Sequence, residues 1–228
     1  MSKKIIMACM AVAAFAAFVM PATASATNTP HLTEGVTPVA VGAKILGTNV
    51  GETRLKDTSG NTILSCSTAT MTGEVTKNSG GTVEGKISSA TFAGTGLKQA
   101  AEPDTECTGS LGNSGVTPLS LPWSLKSTPL MATDEFQITP SAGGKIKFKL
   151  AVTVPFSGTI TCGYEAVGPI KGTGTTGTDL VHIPATAAAS GFNRIEGAFP
   201  CPTSGTLEMT FTLETDAAGN TPITINHA

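Results

Sequence analysis

Cys66, Cys107, Cys162 and Cys201 carry the clearest chemistry in this chain of 228 residues. Four thiols can make two disulfides or one tetrahedral metal site. A metal site wants ligands paired at about two to four residues' spacing. No such cysteine pair exists, and His31, His182 and His227 stand at no spacing that completes one. Two disulfides are therefore expected, and no metal. Of three possible connectivities, Cys66–Cys107 and Cys162–Cys201 are favoured, because they close similar loops of 41 and 39 residues.

The other reactive residues offer less. A nucleophile needs a base beside it, and no Gly-x-Ser-x-Gly elbow is present. His182, near Asp179, is the one histidine within a strand pattern and the best candidate base. His31 and His227 belong to the ends. Glu102, Asp104 and Glu106 alternate before Cys107, a pattern that could offer carboxylate oxygens to calcium; a solvated acidic loop is the expectation. Gly80, Gly85 and Lys86 imitate a phosphate loop, but Ile87 stands where a magnesium-holding hydroxyl belongs, so a Gly-rich hairpin is expected. Gly172, Gly174 and Gly177 fit a dinucleotide fingerprint with no helical pattern after it, and read as a flexible loop. No catalytic residue and no cofactor is assigned.

The elements that would position these residues are strands. Ala43–Val50, Arg54–Asp57, Thr62–Ser67, Thr68–Thr76, Thr82–Phe92 and Pro122–Thr128 read as strands in the first half. Lys145–Val154, Thr159–Glu165, Leu180–Ile183, Phe192–Ile195, Thr206–Thr215 and the final eight residues do so in the second. Lys145, Lys147 and Lys149 alternate with Ile146, Phe148 and Leu150, the two-residue period of a sheet with one wet face. Trp123, the single tryptophan, reads as a core plug near a disulfide. The 37 threonines and 26 glycines, with no long amphipathic helical pattern after residue 26, make the class all-β.

The halves share a rhythm. In each, a strand enters the first cysteine, and the second cysteine precedes an alternating strand. The offsets Cys66 to Cys162 and Cys107 to Cys201 nearly agree, which points to a duplication. The expected architecture is an antiparallel β-sandwich of about twelve strands, possible as two immunoglobulin-like halves, 27–130 and 131–228, or as one continuous domain 27–228.

Residues 1–26 read as a signal peptide. Lys3 and Lys4 precede the apolar run Ile5–Met20, Pro21 breaks it, and Ala24-Ser25-Ala26 is a small-x-small cleavage site. Cys9 lies too early in the run to be a lipidation site. Losing both lysines takes the net charge from −2 to −4, so a phosphate-binding basic face, and with it nucleic acid, is not expected. No later stretch reaches membrane-spanning length. The protein is expected to be secreted, without a span after signal removal.

The stretches Asn49-Val50-Gly51, Cys66-Ser67-Thr68-Ala69-Thr70-Met71-Thr72-Gly73, Leu121-Pro122-Trp123-Ser124-Leu125 and Phe211-Thr212-Leu213-Glu214-Thr215-Asp216 carry a resemblance. The chain resembles a set of uncharacterised Thr/Gly-rich secreted proteins of high-GC Gram-positive bacteria. That resemblance implies no activity and transfers no site residue. The expectation for function is a non-enzymatic secreted module, binding a ligand or a cell-surface component. The rival readings are a secreted polysaccharide hydrolase using a carboxylate pair, and a calcium-dependent adhesive module using the 102–106 loop.

Overall fold

A computed structural model describes residues 30–80, 82–94, 96–97, 105–110, 112–129, 133–154, 158–216 and 220–227. The signal-peptide reading, Glu102 and Asp104 lie outside these residues. The strands of the first half are β1 (Pro30–Glu34), β2 (Thr37–Pro38), β3 (Lys44–Asn49), β4 (Thr53–Lys56), β5 (Thr62–Cys66), β6 (Thr68–Ser79), β7 (Thr82–Ala93), β8 (Gly96–Leu97), β9 (Thr105–Glu106), β10 (Asn113–Leu119) and β11 (Trp123–Pro129). The second half supplies β12 (Thr133–Pro140), β13 (Lys147–Val154), β14 (Gly158–Ala166), β15 (Ile170–Thr175), β16 (Leu180–Ile183), the four-residue helix α1 (Ala187–Ser190), β17 (Gly191–Glu196), β18 (Ser204–Thr215) and β19 (Ile223–His227).

Strict alternation builds these strands. In β12, Asp134, Phe136 and Ile138 are buried while Thr133, Glu135 and Gln137 face outward. In β18, Met209, Phe211 and Leu213 are buried between Thr210, Thr212 and Glu214. A two-residue period with one buried face fixes the register, because a slip of one residue would turn the apolar set into water.

The expected sandwich is replaced by a closed barrel. The antiparallel order β3-β6-β7-β11-β12-β15-β16-β18 returns to β3, since Phe211–Thr215 of β18 pair with Ile45–Asn49. An eight-stranded ring results, without an edge to protect. The immunoglobulin-like arrangement expected from the spacing is absent from it. The Lys44–Asn49 stretch is hydrogen-bonded on both sides, by β18 and by β6.

The remaining long strands form a second curl along the same β18. Their order is β4-β5, then β10-β13-β14-β17-β18, with the first half of β18 pairing back to β4. Between β5 and β10 the gap is bridged by two residues. Thr108 exchanges main-chain bonds with Ser65, and Cys107 does so with Ser114. The chain thus alternates between the rings: β3 in the first, β4 and β5 in the second, β6 and β7 in the first, and so on until β18 joins both.

Strand order repeats within the first ring. It contains β3-β6-β7-β11 and then, in the same order of appearance, β12-β15-β16-β18. The break between the two sets falls between β11 and β12. The two stretches nevertheless interlock, because β11 pairs with β12 and β18 with β3. Each stretch supplies four strands of the first ring, while the second ring takes β4, β5 and β10 from one and β13, β14, β17 and β18 from the other.

A small sheet, β19-β1-β2, covers the end of the first ring that carries the β6–β7 and β15–β16 turns. Asn78, before the first turn, accepts from the Leu32 amide and donates to the Leu32 and Val39 carbonyls. At the second turn, Gly177 donates to the Ile225 carbonyl and the Ile225 amide donates to Thr178. Leu32, Ile223 and Ile225 are fully buried. Gly174 leaves the room this lid needs: a Cβ there would strike Ile225 and the Phe136 ring. The segment read as a flexible Gly-rich loop is therefore largely strand β15, with its glycines set by close packing.

Candidate functional site

The apolar interior is continuous through both rings and leaves a gap of about 60 Å³ at their junction, lined by residues including Trp123, Cys66, Ile138, Met209 and Phe192. Trp123 is buried, shares the lining of this gap with Cys66, and donates its indole N–H to the Leu119 carbonyl at 3.1 Å. A water takes about 30 Å³ and wants polar partners, and ligand pockets run to several hundred Å³. The gap is thus a packing feature.

A larger concavity lies on the outside of the second ring. It has a volume of about 450 Å³ and sits where β17 and β4 both pair with the start of β18. The register sets its polar groups side by side: Asn193 faces Ser204, and Thr206 stands between Gly191 and Lys56. Gly191 lets α1 pack directly against the start of β17. It must stay glycine, since a Cβ would come within 2.5 Å of the Ala187 carbonyl oxygen.

Two hydrogen-bonded turns wall the cleft. On one side the Asp57 carboxylate accepts from the Ser59 and Asn61 amides at 2.8 and 2.9 Å and from the Asn61 side chain at 3.1 Å. These bonds, the Asn61 side chain first, hold its pKa below the ordinary aspartate value. On the other side Thr186 caps α1 by accepting from the Ala189 amide, and buried Ser190 donates to the Pro184 carbonyl at 2.8 Å. The Val167 amide donates to Gly191 at 2.8 Å.

The charges at the cleft are already satisfied. Lys56 pairs with Glu208 at 2.8 Å, and hydrogen bonding from Lys56 is the main cause that lowers the Glu208 pKa. Asp57 is spent on its own turn. By contrast, the side chains of Thr58, Asn193, Ser204 and Thr206 make no hydrogen bond within the protein among the described residues. Four neutral groups, each able to donate and accept, therefore converge on one concavity.

The residues singled out in the sequence lie elsewhere. His182 is exposed on the outer wall of the first ring, its Nδ1 2.9 Å from Thr210 Oγ1. Asp179 turns its carbonyl to the Leu213 amide. Glu106 is not a solvated loop residue: it lies in β9, is 6% exposed, and its Oε2 has no hydrogen-bond partner. Among the described residues no three acidic, histidine or cysteine side chains gather as a metal site. Gly80 lies in the β6–β7 hairpin turn at φ 64°, and Gly85 lies within β7 opposite Val75. The four cysteines form Cys66–Cys107 and Cys162–Cys201, the favoured pairing. Both bonds lie in the second ring, and they indicate an oxidising compartment, extracellular or periplasmic. No described helix is long and apolar enough to cross a membrane.

The cleft had no signature in the sequence. Asn193, Ser204 and Thr206 are ordinary strand residues, and only the pairing of β17 and β4 onto β18 brings them beside Lys56. The chain matches no protein-family model, and no curated protein or solved structure is significantly similar to it.

Proposed function

We propose that this is a secreted, non-enzymatic β-barrel protein that works at the cell surface or in the extracellular medium, binding its ligand in the cleft between β17, β4 and the start of β18. The observation that carries this reading is the convergence there of four uncommitted side chains on one concavity of about 450 Å³, walled by two hydrogen-bonded turns. A site held on strands and braced turns is preorganised, so little ordering entropy opposes binding. The signal-like residues 1–26, the two disulfides and the resemblance to Thr/Gly-rich secreted proteins support the location.

Two measurements test the reading. N-terminal sequencing of the mature protein should begin at Thr27; a mature form that keeps Cys9 with a lipid attached, and stays with the membrane, would refute the secreted assignment. Solubilised cell-envelope polymers added to the labelled protein should shift the amide resonances of Gly191, Asn193, Ser204 and Thr206. Shifts confined to other surfaces would move the site. Release of new polymer ends at a rate that scales with protein would replace binding by hydrolysis.

A further inference from the structure

We propose that the ligand of this cleft is a neutral, hydroxyl-rich carbohydrate, an inference that rests on the cleft being the binding site. The chemistry of the lining selects it. A hydroxyl or carboxamide both donates and accepts, as a sugar hydroxyl does, so each can be matched in either sense. An anionic ligand would need a free cation, yet Lys56 is held by Glu208 at 2.8 Å. A cationic ligand would need a free carboxylate, yet Asp57 already accepts three bonds from its own turn.

A peptide docking as an added strand would need an open sheet edge. None is offered here, because β18 is paired by β17 over Ser204–Thr206 and by β4 over Thr206–Glu208. The apolar part of the lining is modest: Val167, Ala185, Ala187 and an edge of Phe192. That is enough to meet the C–H face of a sugar ring and too little to hold a lipid chain. The volume lies in the range of small-ligand sites and suits a short stretch of polymer.

Affinity electrophoresis of the disulfide-intact protein, through gels containing a neutral mannan, a neutral β-glucan or a neutral galactan, provides the test, with polygalacturonate as the anionic comparison. At least one neutral polymer should retard migration, and added salt should leave the retardation unchanged. In Asn193→Ala/Thr206→Val the affinity should fall ~10-fold to ~30-fold, as two lost hydrogen bonds imply. Lys126→Ala, on the first ring, should bind as the parent does. A thermal midpoint measured for each variant separates lost contacts from lost fold, and Ser204→Ala offers a milder change at the same place. Retardation by polygalacturonate alone, with resonance shifts at Asn193 and Ser204, would overturn the carbohydrate class proposed while leaving the site. No shift at the cleft with any polymer, neutral, anionic or from the cell envelope, would overturn the site itself.

Discussion

Ser65 and Thr108 exchange both of their main-chain hydrogen bonds, at 2.7 and 2.9 Å, immediately beside the Cys66–Cys107 disulfide. One residue further, Cys107 does the same with Ser114 of β10. Two residues thus stand in for a whole strand at the seam of the second ring, and the disulfide holds them there. Cys162–Cys201 acts on the far side of that ring, tying β14 to the loop that enters β18.

Removing the seam disulfide should open the second ring first. Cys66→Ser/Cys107→Ser is expected to cost ~2–5 kcal/mol, the usual loss for a native disulfide in a small exported domain. Hydrogen exchange should accelerate at Ser65, Thr108 and Ser114 while the β6 and β7 amides keep their protection. Non-reducing peptide mapping should still recover Cys162–Cys201. Equal loss of protection in both rings would show that the seam is not a separate unit.

Asn78 latches the lid through three hydrogen bonds, to the Leu32 amide and to the Leu32 and Val39 carbonyls. In Asn78→Ala all three bonds are lost, although the Leu32 carbonyl still accepts from the Val39 amide, at an expected cost of ~1–3 kcal/mol. Limited proteolysis should then cut first within residues 30–38, while the disulfide-bonded ring resists. An unchanged cleavage pattern would mean that burial of Leu32 and Ile225 suffices without the latch.

Tyr164 is the single tyrosine, fully buried, with its hydroxyl unpaired and its ring stacked on Phe148. Burial pushes its pKa up to about 12, partly opposed by the charge of Arg194. The folded value lies above the unfolded one of roughly 10. The stabilisation is therefore whole below that pH and is lost as pH rises from there toward 12. Ultraviolet titration should show one phenolate transition near pH 12, coinciding with loss of the circular-dichroism signal. A reversible transition near the ordinary tyrosine pKa in folded protein would contradict this burial.

Acid should weaken the outer ion pairs in the opposite sense. Glu208 is lowered mainly by its bond from Lys56, and Glu165 mainly by its bond from Lys145, with Lys147 adding to it. A depressed folded pKa gives stability that is full above the unfolded glutamate value, roughly 4.3, and lost as pH falls through the folded value. Urea midpoints should hold steady down to about pH 5 and decline below ~4. Glu208→Gln should be less stable than the parent at neutral pH and lose less on acidification. A parallel decline in the two proteins would remove Glu208 from the account.

Many strands were legible because their signal is local. Lys147–Val154, Leu180–Ile183 and Ser204–Thr215 show their alternation within a few residues, and the structure has strands at each. β10 and β15 were missed for local reasons too. Asn113–Leu119 carries Gly115 and Pro118, and β15 has glycine at two buried positions, so neither shows the apolar face that marks a strand. The cleft was illegible because nothing in Asn193 or Thr206 announces what will stand beside it.

The sequence by itself determined the all-β class, the strands with a clear two-residue period and a disulfide pairing favoured by loop length. Each depends on residues near one another along the chain, or on a spacing that can be counted. Whether the strands made a sandwich or a ring depended on edges. Strand edges pair through main-chain groups that every residue possesses, so composition does not encode the partner. Thr212 donates to the Thr48 carbonyl across 164 residues of sequence. That β18–β3 ladder closes the first ring, and the pairing of β18 with β17 and β4 makes the cleft. Only the packing of both buried faces at once selects those partners.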